Sequence, residues 1–72
     1  MPLSMVDANE TVTITRISGT DSTRLHLAEL GFVVGSKIGV VQTIGGNIIV
    51  KVKESRVALG KDLAMHVFVE EG

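Results

Sequence analysis

The clearest pattern in the chain is a two-residue alternation over residues 48–53, with Ile48, Val50 and Val52 on one side and Ile49, Lys51 and Lys53 on the other. Successive side chains of a strand point to opposite faces, so this run predicts a strand with one buried side. Residues 11–15 repeat the pattern: Val12 and Ile14 face inward, Thr11, Thr13 and Thr15 face outward, and Arg16 and Ile17 continue the strand until Ser18 and Gly19 break it. Leu3 and Val6 are expected beneath that strand, with Asp7, Ala8 and Asn9 forming the turn into it. Ile38 and Val40 share a face of a third strand that runs on through Val41, Gln42 and Thr43. The Gly45-Gly46-Asn47 run marks a hairpin tip between it and residues 48–53. Glu54 and Ser55 reverse the chain into a fourth strand with Val57 and Leu59 inward, which Gly60 ends. Residues 61–64 suit a single helical turn, and a last strand follows over residues 66–70, with Val67 and Val69 on one face and Phe68 on the other.

The helical period appears once, at about residues 22–30. Asp21 or Ser22 is expected to cap its first amides. Leu27 and Leu30 lie three apart on one face, Leu25 and Ala28 widen that stripe, and Gly31 stands where a left-handed C-cap is wanted. A helix this short is marginal alone in water, so it must pack on the sheet. Five short strands with glycine turns and one short helix predict a mainly β fold. Closing the sheet would remove edges that so small a protein could not cover, so the expected architecture is a small closed or nearly closed barrel.

Composition narrows this picture. The 72 residues suit one domain, 1–72, with a thin core, and 44% of them are apolar although only Phe32 and Phe68 are aromatic. Valine and isoleucine therefore carry the core, and both favour strands. The absence of cysteine removes disulfides, thiolate chemistry and cysteine-based zinc sites. No signal-peptide pattern and no apolar run of membrane-spanning length is present, which predicts a cytoplasmic protein without direct membrane insertion. A net charge of −1 gives no long-range attraction to phosphate backbones, so no nucleic acid is expected as partner. Lys51 and Lys53 share a strand face and approach Arg56 across the turn, a patch that solubility alone would explain.

The order of these motifs resembles the FeoA family, the small ferrous iron transport proteins A, and the SH3-like domain at the C-terminus of diphtheria-toxin-repressor-type regulators. The resemblance rests on Leu27-Ala28-Glu29-Leu30-Gly31-Phe32 followed by Gly35-Ser36-Lys37-Ile38, on residues 46–52, and on Arg56-Val57-Ala58-Leu59-Gly60. It implies one FeoA-like, SH3-like barrel and a cytosolic accessory role at the ferrous iron transporter FeoB, whose cytosolic domain would be the partner. A regulator of the repressor group would need a DNA-binding domain ahead of this one, for which the chain leaves no room.

Enzymatic readings fail on inventory: there is no serine, histidine and acid in motif context, no phosphate loop with a lysine and no closely spaced carboxylate pair. No cofactor is required. His26, Glu29 and His66 are the candidate metal ligands and leave weak binding of Fe(II) or Zn open, but two ligands on one helix are short of the four of a structural site. Apolar surplus is the stronger signal. Leu27, Leu30, Phe32, Val33, Ile49 and Phe68 are the candidate protein-contact residues, with Phe32 and Phe68 as anchors. A small transition-metal-binding or metal-responsive regulatory module using His26 and His66 is the alternative, and a homo-oligomeric structural module in which the apolar patch pairs with itself is a further one.

Overall fold

The computed structural model describes residues 1–72. A 3-10 turn, Leu3–Met5, leads to strand β1 (Thr11–Ile17), helix α1 (Asp21–Glu29), β2 (Lys37–Ile44), β3 (Asn47–Val52), β4 (Ser55–Gly60), the single turn α2 (Lys61–Ala64) and β5 (Val67–Glu71). All five expected strands and the helix form within a residue or two of their predicted limits.

The strands make one antiparallel sheet in the order β4-β3-β2-β1-β5. This corrects the barrel expected from the sequence, and with it the SH3-like closure: β4 and β5 are the two edges and do not pair with each other. Closure was expected because edges need cover, and this chain covers one of them by other means. Met1 and Pro2 run along the outer edge of β5, where the Val69 N–H donates to the Met1 carbonyl at 2.7 Å and Pro2 bridges to Phe68. Helix α2 follows β4 along the chain and packs on β3, β4 and the 3-10 turn. One edge is thus plugged and the other, along β4, has no strand beside it.

One face of the sheet carries the core. All fifteen buried residues are apolar, among them Val12, Ile14, Ile38, Val40, Ile48, Val50, Val52, Leu59, Val67 and Val69 from the strands. Leu3, Leu27, Phe32 and Ala64 close over them from the turn, α1 and its exit, and α2. Two bulges refine the alternation. The register of β1 against β5 slips between Ile14 and Arg16, so Arg16 turns outward opposite Phe68 and Ile17 returns inward opposite Val67. The second slip, between Val40 and Gln42, brings Gln42 opposite Ile49.

Helix α1 starts at Thr20, whose Oγ1 accepts the Thr23 N–H at 3.2 Å; neither Asp21 nor Ser22 is the cap. Its other end is a full Schellman motif: Gly31 N–H donates to the Ala28 carbonyl at 3.0 Å and Phe32 N–H to the Leu27 carbonyl at 2.9 Å, with Gly31 at φ 104°. The buried side chains of Leu27 and Phe32 complete the apolar contact that accompanies this motif. The helix buries only Leu27, with Thr23 and Leu30 half-buried beside it. The wider stripe expected from Leu25 and Ala28 does not form, and both are exposed.

The turn between β3 and β4 holds one backbone oddity. Lys53 has φ 57°, a left-handed conformation that costs a side chain with a Cβ about 1–2 kcal/mol. Lys53→Gly is expected to stabilise the domain by about 0.5–1 kcal/mol after glycine's larger chain entropy is subtracted. A urea melt with a midpoint at or below that of the parent would show that this turn is unstrained.

Candidate docking surface

The expected contact residues divide. Leu27 and Phe32 are completely buried, so neither can serve as a surface anchor; both are consumed by the join between α1 and the sheet. Leu30, Ile49 and Phe68 are half-buried and Val33 is exposed. Phe68 is also covered by this chain's own Arg16, whose guanidinium carbon lies 4.1 Å from the ring centroid, a stacking worth about 0.5–1 kcal/mol at an exposed position.

The exposed large apolar groups lie elsewhere: Met1, Met5, Ile44 and Met65 are scattered over the N-terminus, the end of β2 and the exit of α2, and three more belong to α1 and its exit. Leu25 is 61% exposed on the outer side of α1, and Val34 is 63% and Val33 44% exposed just past the helix exit. At 100° per residue, Leu25 points about 160° away from Leu27, directly opposite the buried line of the helix. Its position follows from the Thr20 cap and the Gly31 stop, which fix the length and rotation of α1. Sequence reasoning assigned Leu25 to the packed stripe. The usable signal was the shortness of the helix: nine residues leave room for little more than one buried turn contact.

The candidate metal ligands do not converge. His26 and Glu29 are exposed on α1, while His66 is half-buried with its Nδ1 3.1 Å from Ser18 Oγ. No group of three or more histidine, cysteine, aspartate or glutamate side chains is arranged to hold a metal ion. The Ser18–His66 contact joins residues 48 apart, so no spacing in the sequence could announce it. The Ser18 N–H also donates to the His66 carbonyl at 2.8 Å, and no carboxylate forms an ion pair with the imidazole. With no acid to orient the ring, the pair ties the loop after β1 to the start of β5.

Charge is unevenly placed. Lys51 lies directly opposite Arg56 in the β3–β4 register, with Lys53 two residues beyond Lys51. Lys37 precedes Ile38, whose partner Val52 precedes Lys53, so Lys37 joins the same outer face. These four side chains are exposed and none is in an ion pair; the single salt bridge joins Arg24 to Asp21 on α1. Asp7, Glu10 and Glu71 instead line a shallow cleft on the β1–β5 side. No helix is long and apolar enough to cross a membrane.

Comparisons with known proteins place this geometry. The FeoA domain matches residues 1–71. A candidate Fe(2+) transport protein A from Methanocaldococcus jannaschii is 31% identical over 70 residues, covering 97% of this chain and 85% of that protein. The crystal structure of an iron uptake regulatory protein (FeoA) superposes with a TM-score of 0.93 at 32% identity, over 100% of this chain and 96% of the other. A manganese-dependent transcriptional repressor in complex with manganese contains the same fold, with a TM-score of 0.92 at 25% identity; all of this chain matches 36% of the repressor.

Proposed function

The chain belongs to the FeoA domain family, and from that premise we propose that it is a cytoplasmic, non-catalytic accessory of ferrous iron uptake that docks on the cytosolic domain of the transporter FeoB. The observation that carries the docking mode is Leu25, a leucine held outward on a short, firmly capped helix whose exit segment also exposes Val33 and Val34. A large apolar side chain on a rigid element binds with little loss of conformational freedom, as a contact anchor needs. The relative from Methanocaldococcus jannaschii named for Fe(2+) transport and the iron uptake regulatory protein support the iron setting.

The test is retention of the purified FeoB cytosolic domain by the immobilised protein. Leu25→Asp and Val34→Asp are expected to lose retention by about tenfold or more while their melting curves stay with the parent, since both side chains are already in water. Leu27→Asp and Phe32→Asp are unsuitable probes because each would bury a carboxylate in the core. Undiminished retention of Leu25→Asp would remove α1 as the docking element, and no retention of the parent would remove FeoB as the partner.

A further inference from the structure

We infer that the free edge of β4 is a second docking site, which takes up an extended acidic segment of a partner protein as a sixth strand. Three independent features converge there. The first is the edge itself. In the two-residue hairpin that joins β3 to β4, Val52 and Ser55 form the closing pair, and hydrogen-bonded and non-bonded pairs then alternate along an antiparallel ladder. Arg56 and Ala58, opposite Lys51 and Ile49, therefore turn their N–H and C=O groups away from β3 towards the open side. The corresponding edge of β5 is occupied by Met1 and Pro2, so strand addition is available on the β4 side alone.

The second feature is charge. Lys51 and Arg56 are direct cross-strand neighbours, an arrangement that destabilises a sheet unless something negative lies over it. No carboxylate of this chain pairs with either: Glu54 stands next to Lys53 in the turn without an ion pair, and Asp7, Glu10 and Glu71 line the cleft on the β1–β5 side. An incoming strand with acidic side chains on the outer face would set one carboxylate beside Arg56, with Lys51 and Lys53 behind it. Its other face would carry apolar side chains against half-buried Val57. A second copy of this chain fits the edge poorly, because pairing β4 with β4 would bring two basic faces together.

The third feature is Lys53, kept in a left-handed turn position that glycine would occupy at lower cost. Local strain of this sort tends to persist where the side chain has work to do, and this one adds its charge to the same face. Nucleic acid is less well matched: single strands bind to stacking aromatics, and of the two phenylalanines Phe32 is buried and Phe68 lies under Arg16.

The experiment requires no transporter, so its failure would leave the Leu25 reading untouched. A short synthetic peptide alternating glutamate and valine is titrated into the isotope-labelled protein, with a lysine–valine peptide and an oligothymidylate as controls. Saturable binding of the acidic peptide is expected, with the Arg56 and Ala58 amides among the largest shifts. Lys51→Glu with Arg56→Glu should weaken it by about tenfold or more. Ala58→Pro, a change that an edge tolerates because the lost N–H faces outward, should weaken it without altering charge. Four results would overturn the proposal: no saturable binding; equal binding of the lysine–valine peptide; preferential binding of the oligothymidylate; or acidic-peptide shifts that leave the Arg56 and Ala58 amides unmoved.

Discussion

Truncation of Phe32 to alanine is expected to remove about 3–5 kcal/mol of folding stability. A domain of this length holds about 4–11 kcal/mol in all, so the variant should be partly or largely unfolded at room temperature. The size of the effect comes from position. Phe32 is fully buried, follows the Schellman stop of α1 and packs with Leu27. It is the largest side chain in a core of fifteen small and medium residues, ten of which come from stiff strands that cannot collapse into the space it leaves. Denaturant melts monitored by circular dichroism would measure the loss. A cost below about 1 kcal/mol would mean that the join between helix and sheet does not depend on this ring.

The second large effect is expected at Gly31, where alanine should cost about 2–4 kcal/mol from two sources. One is the left-handed backbone, φ 104°, which a Cβ opposes by about 1–2 kcal/mol. The other is space: a Cβ built at Gly31 lies 2.9 Å from Cγ1 of Val52, a buried β-branched residue with one comfortable rotamer. The two contributions can be separated. Val52→Ala removes the obstructing methyl, so in a double-mutant cycle the Gly31→Ala penalty should shrink by about 1 kcal/mol in that background. Strict additivity would assign the whole cost to the backbone.

These two residues illustrate how much of the fold was legible. The stop at Gly31 and the burial of Val50 and Val52 are local patterns, written in glycine chemistry and two-residue alternation. The exposed Leu25 was misread because helical spacing alone set it beside Leu27, whereas the number of turns that the sheet can cover decides which side is buried. Thr20 was missed as the cap because three neighbouring residues carry suitable oxygens and only the backbone selects among them. The barrel was wrong for a different reason. Whether β4 meets β5 depends on where Met1, Pro2 and α2 come to rest, which is decided by contacts more than sixty residues apart for the N-terminal pairing. The exposure of the expected contact residues was likewise only half legible: Val33 is at the surface, while Phe32, named as an anchor, is taken up by the core.

The bulge in β1 was visible in retrospect. Inward positions at Val12, Ile14 and Ile17 break the two-residue step once, and that break turns Arg16 out over Phe68. A charged residue that strict alternation would have placed in the core is thereby delivered to the one aromatic ring left partly exposed.

The unequal edges of the sheet bear on assembly. A protein with two open edges can polymerise, each copy lending one side to the next, and the chain of copies has no natural end. Here the first two residues already sit in the groove that the next copy would need. Copies of this chain that shared strands would have only their β4 edges to offer, so such an assembly would end at a pair and could not grow into a fibre.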